Sequence, residues 1–246
     1  MEYNNPNIKK EKVINKDTTN YYEFFNTINL KNMTYLNKGS CAKIYYNKRI
    51  ILKKYYSETP INLRIKENIF NILKDINNRN FIELYDIYST YKENLNQQSI
   101  TSAYTAKYYK DNSINPILEN KNYLLENFNN LEKLFDIFTN NMICTSDIKK
   151  DNSILEKNNI IIIDPDLFYI INSTKTFLRK TNKIKLLYLF NSIIINSIDD
   201  DLDYPRKIRI LHNLLSDIII TDKTNITYEL SKKLQYIKKP IDIFKK

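Results

Sequence analysis

The sequence has 246 residues, 42% hydrophobic and 27% charged, which is enough for one large domain or two lobes. Two cysteines, Cys41 and Cys144, and a single histidine exclude a disulfide scaffold and a Cys/His zinc site. The formal net charge of +10 is spread along the chain and includes only six arginines, without a basic cluster. We therefore do not expect nucleic acid as a partner.

The sequence also bears on location. Residues 1–16 are polar and carry charges of both signs, so they do not resemble a secretory signal. No apolar run approaches the roughly 18 residues that a membrane-spanning helix needs. The sequence therefore predicts a cytoplasmic protein without a membrane span.

The first half of the chain reads mainly as β-strands. Residues 33–56 contain three β-rich runs separated by turns, and residues 81–88 and 99–109 continue this pattern. Between them, residues 62–76 carry apolar side chains at helical spacing. This half is predicted to be a small β-rich unit that holds one main helix.

The second half reads mainly as helices. Residues 124–138 form an amphipathic pattern at the period of an α-helix, and two short apolar runs follow at 153–155 and 160–163. Further helices are predicted for residues 183–195, 206–220 and 228–237. The chain is therefore predicted to have an α+β fold.

The strongest local signal is a polar loop with alternating charge. It contains Asp147, Lys149 and Asn152, and Asp164 follows at the end of a run of four isoleucines. Carboxylate and amide oxygens that converge from a loop and a strand end suit Mg²⁺ and phosphate. A lysine between them would neutralise charge on a phosphoryl group in transfer.

This pattern resembles the protein-kinase family, whose catalytic loop reads H-R-D-L-K-x-x-N and whose metal motif reads D-F-G. Residues 147–152 read D-I-K-K-D-N, which matches D-L-K-x-x-N without a gap, and Asp164 follows at the family's spacing. The resemblance covers about residues 33–170. The chain thus resembles a divergent, minimal member of the Ser/Thr-type protein kinases.

Upstream segments resemble family motifs in the same order. Residues 36–45 look like the glycine-rich phosphate loop and keep only its middle glycine, Gly39. Residues 51–53 are similar to the A-x-K strand, which would make Lys53 the phosphate-binding lysine. Lys54 is the alternative by one register, and strand alternation allows only one of the two to face the nucleotide.

The remaining nucleotide contacts are implied by the same resemblance. A glutamate in the predicted helix falls where the family pairs one with the strand lysine, and residues 104–109 resemble the last strand and hinge. The implied ATP-binding residues are Asn37, Gly39, Ala42, Ile44, Lys53, Glu67, Ala106 and Tyr108.

The resemblance also implies catalytic roles and partners. Asp147 would orient the attacking hydroxyl and accept its proton, and Lys149 would stabilise the γ-phosphoryl group. Asn152 would also have a catalytic role in the same loop. Together, Asn152 and Asp164 would hold Mg²⁺. The implied partners are ATP and a protein substrate with a Ser or Thr hydroxyl.

Several motifs depart from the family pattern. Thr145-Ser146 replaces H-R, residues 164–166 read D-P-D instead of D-F-G, and no A-P-E follows in the last 80 residues. Two alternatives therefore stay open beside an active protein kinase. One is a pseudokinase that acts as a nucleotide-binding scaffold, and the other is a small-molecule phosphotransferase similar to aminoglycoside and choline kinases.

The expected architecture follows from the resemblance. It is bilobal, with a β-rich N-lobe over residues 33–107 and a shortened, mostly helical C-lobe over residues 108–246, after an N-terminal extension over residues 1–32. The C-lobe would carry the catalytic loop at 145–152 and the metal motif at 164–166.

Overall fold

The structure, a computed structural model, describes residues 32–91, 99–110, 115–156, 158–197, 203–237 and 239–245. These residues form an α+β structure with nine strands and six α-helices. They separate into two compact units, the first made of the described residues up to Asp75 and in Glu83–Tyr109, and the second of those in Ile76–Ile82 and from Lys110 onward. Apart from Asn32, the predicted extension lies outside the described residues, and the predicted lobe boundaries remain a prediction.

The first unit is built on a five-stranded antiparallel sheet. Its strands are β1 (Thr34–Lys38), β2 (Ala42–Tyr46), β3 (Ile50–Tyr55), β4 (Leu84–Tyr91) and β5 (Ser99–Lys107). They lie in the order β1-β2-β3-β5-β4, so the last strand in sequence is inserted next to β3. The strands predicted from the sequence are confirmed, with three differences at their ends. Strand β4 both begins and ends three residues later than expected, and β5 ends two residues earlier.

The helix of this unit, α1 (Glu67–Lys74), is shorter than the predicted 62–76. Residues Ile61–Leu63 form a 3₁₀ turn, and Arg64 has an extended backbone. The buried Arg64 guanidinium donates four hydrogen bonds of 2.7–3.1 Å to main-chain carbonyls, those of Tyr56, Ser57, Thr59 and Thr101. These non-local bonds satisfy a buried charge, and they keep the preceding segment out of the helix.

The helix packs on one side of the sheet through aromatic contacts. The ring of Phe70 in α1 lies 6.0 Å from that of Tyr104 in β5, and Tyr104 lies 6.3 Å from Tyr55 in β3. All three side chains are buried. This contact identifies the side of the sheet that α1 covers.

The second unit is mostly helical. Its helices are α2 (Asn115–Glu119), α3 (Lys121–Asn140), α4 (Lys175–Ser197), α5 (Tyr204–Leu215) and α6 (Ile226–Lys233), and a 3₁₀ helix follows at Pro240–Lys245. The helix predicted at 124–138 is confirmed and is extended at both ends. Helix α4 begins eight residues before the predicted start, while α5 and α6 end earlier than expected.

Two small β-ribbons complete the second unit. β6 (Ile143–Thr145) pairs with β9 (Phe168–Ile170), and β7 (Ser153–Glu156) pairs with β8 (Asn159–Ile162). Asn127 of α3 anchors the second ribbon, because its Oδ1 accepts from the N–H of Ile160 at 2.7 Å. Its Nδ2 donates to the carbonyl of Asn158 at 2.8 Å. The amide thereby satisfies buried main-chain groups at the turn.

The segment Ile76–Ile82 packs along β8. The N–H of Ile82 donates to the carbonyl of Ile162, and the N–H of Ile162 donates to the carbonyl of Asn80, both at 2.9 Å. The sequence pattern had assigned Phe81 to the following strand, but it forms an isolated parallel bridge with Ile162 instead. No helix in the described residues combines the length and the apolar content needed to cross a membrane.

Candidate active site

The loop after β6 is held in place by contacts from two elements. The N–H of Ser146 donates to the carbonyl of Leu167 at 3.1 Å, just before β9. The N–H of Lys150 donates to the hydroxyl of Ser192 in α4 at 2.8 Å. The buried side chain of Ile148 fixes the loop between these points. The polar side chains on either side of Ile148 are thus presented from a well-anchored backbone.

Three of the predicted site residues meet in this loop. The Nδ2 of Asn152 donates to Asp147 twice, to carboxylate Oδ2 at 2.9 Å and to the main-chain carbonyl at 3.1 Å. The Nζ of Lys149 lies 3.1 Å from the same Oδ2. Asp147 is about one-third exposed and Lys149 is about half exposed, so the ion pair faces solvent. A carboxylate oriented by an amide and accompanied by a half-exposed cation is suited to positioning a hydroxyl and an anion.

Asp164 belongs to the neighbouring strand end. The N–H of Ile163 donates to the carbonyl of Asn152 at 2.9 Å, so Asp164 follows a residue that is bonded directly to the loop. Its Oδ1 accepts from the N–H of Asp166 at 3.2 Å, and the carbonyl of Pro165 accepts from the N–H of Phe168 at 3.2 Å. The D-P-D motif therefore forms a closed turn.

Asn152 and Asp164 are the two residues here that could hold a magnesium ion. Because Nδ2 of Asn152 is used on Asp147, its Oδ1 is the atom that remains to act as a ligand, and Asp164 offers a carboxylate. Both are hard oxygen donors, and Mg²⁺ commonly binds one or two protein oxygens with water and phosphate completing its shell. Across the described residues, no group of three or more His, Cys, Asp or Glu side chains could hold a metal.

In the first unit, the sheet register gathers most of the predicted nucleotide contacts. Residues directly opposite each other in an antiparallel sheet point to the same face. Lys53 is opposite Ile44 in β2 and Tyr104 in β5. Extending the same alternation, one face carries six of the eight predicted residues: Asn37, Ala42, Ile44, Lys53, Ala106 and Tyr108. This is also the face on which α1 packs, through Tyr104.

The register also separates Lys53 from Lys54. Lys54 lies on the opposite face, directly across from Lys43. Burial, and then the positive charge of Lys43, lower the pKa of Lys54 below its usual value. Of the two candidates, Lys53 is therefore the one that shares a face with the other predicted contacts.

Gly39 lies in a tight turn between β1 and β2. Its N–H donates to the carbonyl of Ala42 at 2.9 Å, and it does not have a positive φ. A Cβ added there would meet only the Ala42 oxygen, at an ordinary 3.9 Å. The carbonyl of Cys41 accepts from the hydroxyl of Thr59 at 2.5 Å and from the N–H of Tyr56 at 3.0 Å. The turn is thus tied to the residues after β3, and its backbone does not require glycine.

The predicted helix 62–76 places Glu67 in mid-helix. In the structure, Glu67 is instead the first residue of α1. An acidic residue at this position interacts favourably with the helix dipole. Its helix packs through Phe70 on the sheet face that bears Lys53.

Sequence analysis missed the two residues of α4 that support the loop. Besides the Ser192 contact, the Nζ of Lys185 donates to the carbonyl of Ser146 at 3.5 Å. Both lie about 40 positions from their partners, so no local spacing could have indicated them.

Comparison with known proteins adds no relative, since no model of a known family and no curated protein matches this sequence.

Proposed function

We propose that the protein is an ATP- and Mg²⁺-dependent phosphotransferase, a minimal protein kinase of the Ser/Thr type. The observation that carries the proposal is the loop geometry, in which Asn152 and Lys149 both contact the carboxylate of Asp147. Phosphoryl transfer depends mainly on positioning and on charge stabilisation, and these three side chains supply both. The bilobal kinase-like arrangement is part of the same proposal.

Each residue has a defined task in this mechanism. Asp147, held in orientation by Asn152, accepts a hydrogen bond from the attacking hydroxyl and takes its proton as the new P–O bond forms. The bond between the γ-phosphorus and the β–γ bridging oxygen breaks in the same transfer, and ADP leaves. Lys149 moves from the carboxylate to the transferred phosphoryl group as negative charge develops on it. Asn152 and Asp164 would supply oxygens to a magnesium ion, which would neutralise charge on the nucleotide phosphates.

The first unit supports the nucleotide side of the proposal. Lys53 provides a cation for the phosphates, and Ile44 is a half-buried apolar side chain on the same sheet face. An apolar side chain with a cation near it suits a purine base followed by phosphates. The proposal therefore assigns nucleotide binding to this face and the chemistry to the loop of the second unit.

A pseudokinase remains the second candidate, and the turn at Gly39 favours it. Phosphate loops use glycine so that the backbone can approach the phosphates closely and move. In this chain the turn does not need glycine, and the carbonyl of Cys41 is bonded to Tyr56 and Thr59. A scaffold that binds nucleotide without transferring phosphate would tolerate such a stiff turn.

The deciding experiment measures transfer from γ-labelled ATP with Mg²⁺. The wild-type protein is incubated alone and with a generic protein acceptor rich in Ser and Thr, next to the variant Asp147→Asn. We expect transfer by the wild type and a loss of at least about 100-fold in the variant, since general-base catalysis contributes about 10²–10⁴-fold. Asn has nearly the same shape as Asp, so the variant keeps a side-chain oxygen to accept the hydrogen bond from Asn152.

Asp151→Asn is the matched control. Asp151 is an exposed carboxylate of the same loop, outside the Asp147 constellation, so its substitution should leave transfer unchanged. Nucleotide binding without transfer in every sample supports the pseudokinase. Absence of nucleotide binding contradicts both candidates.

A further inference from the structure

Helix α4 is apolar on two opposite sides. Its inner side includes the fully buried Leu186, Phe190 and Ile193. Its outer side carries Phe177, Ile184 and Tyr188, whose exposed fractions are 54%, 37% and 57%. At 3.6 residues per turn these three lie within about 40° of one another, in a row about 16 Å long. We call this row the outer stripe.

Such a stripe is unusual on a helix whose core side is already packed. A surface helix normally has polar residues opposite its buried face, and aligned large apolar side chains mark an interaction surface. The stripe is thus better suited to a partner than to solvent.

The charged residues of α4 itself are all basic. Helix α4 contains five basic residues and no acidic one. Arg179 lies 3.4 Å from Asp136, and Lys183 lies 4.0 Å from Glu132, so two of the five face carboxylates of α3. Lys180 and Lys185 flank the stripe on its two sides, and Lys180 is exposed. A partner that covers the stripe therefore meets positive charge along both edges.

This pattern argues for one kind of occupant. A second copy of the same helix would bring Lys180 and Lys185 close to like charges, which is costly at an interface. The phosphates of a nucleic acid could pair with the lysines. However, Ile184, in the centre of the row, is aliphatic and neither stacks on a base nor binds a phosphate. An acidic polypeptide with apolar side chains on one side satisfies both features.

The stripe also lies beside the candidate active site. Lys185 contacts the carbonyl of Ser146, and Ser192, one helical turn beyond Tyr188, accepts from the N–H of Lys150. The C-terminal half of the stripe is therefore adjacent to the loop that carries Asp147.

We infer that the outer stripe of α4 docks an acidic, apolar segment of a protein substrate beside the catalytic loop. That the docked segment belongs to a substrate rests on the proposed function. The docking itself rests only on the exposure and charge of the stripe. It names a substrate class: polypeptides whose apolar residues are flanked by Asp or Glu near the hydroxyl that is phosphorylated.

The first test measures binding without ATP. The probe is a fluorescein-labelled 18-residue peptide with Leu at helical 3/4 spacing, Glu elsewhere and one central Ser. A second peptide has every Glu replaced by Lys. We expect the acidic peptide to bind at least tenfold more tightly than the basic one. Phe177→Ser with Tyr188→Ser, and separately Lys180→Glu, should each weaken its binding at least tenfold.

Matched controls separate docking from general effects. Lys133→Glu makes the same change in net charge on exposed α3 surface, and Tyr236→Ser removes another exposed aromatic ring. Both should bind the acidic peptide as the wild type does. Equal affinity for the two peptides, or acidic-peptide binding that survives the stripe substitutions, overturns the inference. Tighter binding of a 16-nucleotide oligouridine through the same residues also overturns it, in favour of nucleic acid.

The second test measures phosphorylation of the acidic peptide. The stripe variants should raise the KM for the peptide at least tenfold, while kcat and the KM for ATP stay unchanged. Differential binding without any transfer contradicts the proposed function and supports the docking surface. Transfer with a peptide KM that the stripe variants do not alter contradicts the docking surface and leaves the proposed function standing.

Discussion

Asn152 donates two hydrogen bonds from one side-chain nitrogen to Asp147, to the carboxylate at 2.9 Å and to the main-chain carbonyl at 3.1 Å. The two residues are five positions apart, and the 3₁₀ turn Lys150–Asn152 brings them together. The amide thereby holds both the backbone and the reactive group of the acid. This relationship links the loop sequence to the chemistry that we propose.

The first prediction concerns Asn152→Ala. This substitution removes the side-chain amide that orients Asp147 and that is one of the proposed metal ligands. Loss of such a supporting group commonly lowers activity about 10- to 100-fold. Initial rates of transfer from labelled ATP should fall by this range, with a higher Mg²⁺ concentration needed for half-maximal rate. An unchanged rate and Mg²⁺ dependence would show that the amide has neither role.

The second prediction compares two neighbouring lysines. Lys53→Ala should weaken ATP binding about 10- to 100-fold, because a hydrogen bond to a charged group contributes about 1.5–3 kcal/mol. Lys54→Ala removes the same side chain from the opposite face and should change the Kd less than threefold. Isothermal titration with a non-hydrolysable ATP analogue measures both constants. A reversed order would move the nucleotide to the other face of the sheet.

The third prediction concerns stability. Arg64→Lys keeps the charge but loses most of the four hydrogen bonds that the guanidinium fork donates to buried carbonyls. The free energy of unfolding should fall by about 2 to 4 kcal/mol, since buried partners are left unsatisfied. Denaturant titration provides the measurement, and Arg49→Lys, at an exposed arginine, is the control. A loss no greater than that of the control would mean that the lysine satisfies the same carbonyls.

The fourth prediction concerns alkaline pH. A hydrogen bond to Cys144, its partner across β6 and β9, together with burial, raises the pKa of Tyr169 to about 12 from the usual 10.0. The folded state therefore keeps a proton that the unfolded chain loses, so this contribution is complete below pH 10 and is lost as pH rises to about 12.

Tyr169→Phe tests this linkage. The free energy of unfolding, measured between pH 9 and 12, should fall less steeply for the variant than for the wild type. Tyr236→Phe, which changes an exposed phenol, should follow the wild-type curve. Parallel curves for wild type and Tyr169→Phe would contradict the raised pKa.

Much of the local structure followed from sequence because its causes are local. Runs of β-forming residues between turns predicted β2 and β3, and helical spacing of apolar residues predicted α3. The loop from Asp147 to Asn152 was also predicted from local sequence, from its residue types and their spacing. The start of α1 was not predicted correctly, because Arg64 is held by carbonyls as far away as Thr101.

By itself, then, the sequence determined the α+β class, most elements and the polar loop of the candidate site. Only the tertiary structure decided which of Lys53 and Lys54 shares a face with Ala106, because β5 inserts beside β3 and sets the register. It also decided that Ser192 supports the loop and that Tyr188 remains exposed. These features depend on contacts between distant segments, and a helix that is apolar on both sides does not reveal from its sequence which side the core will cover.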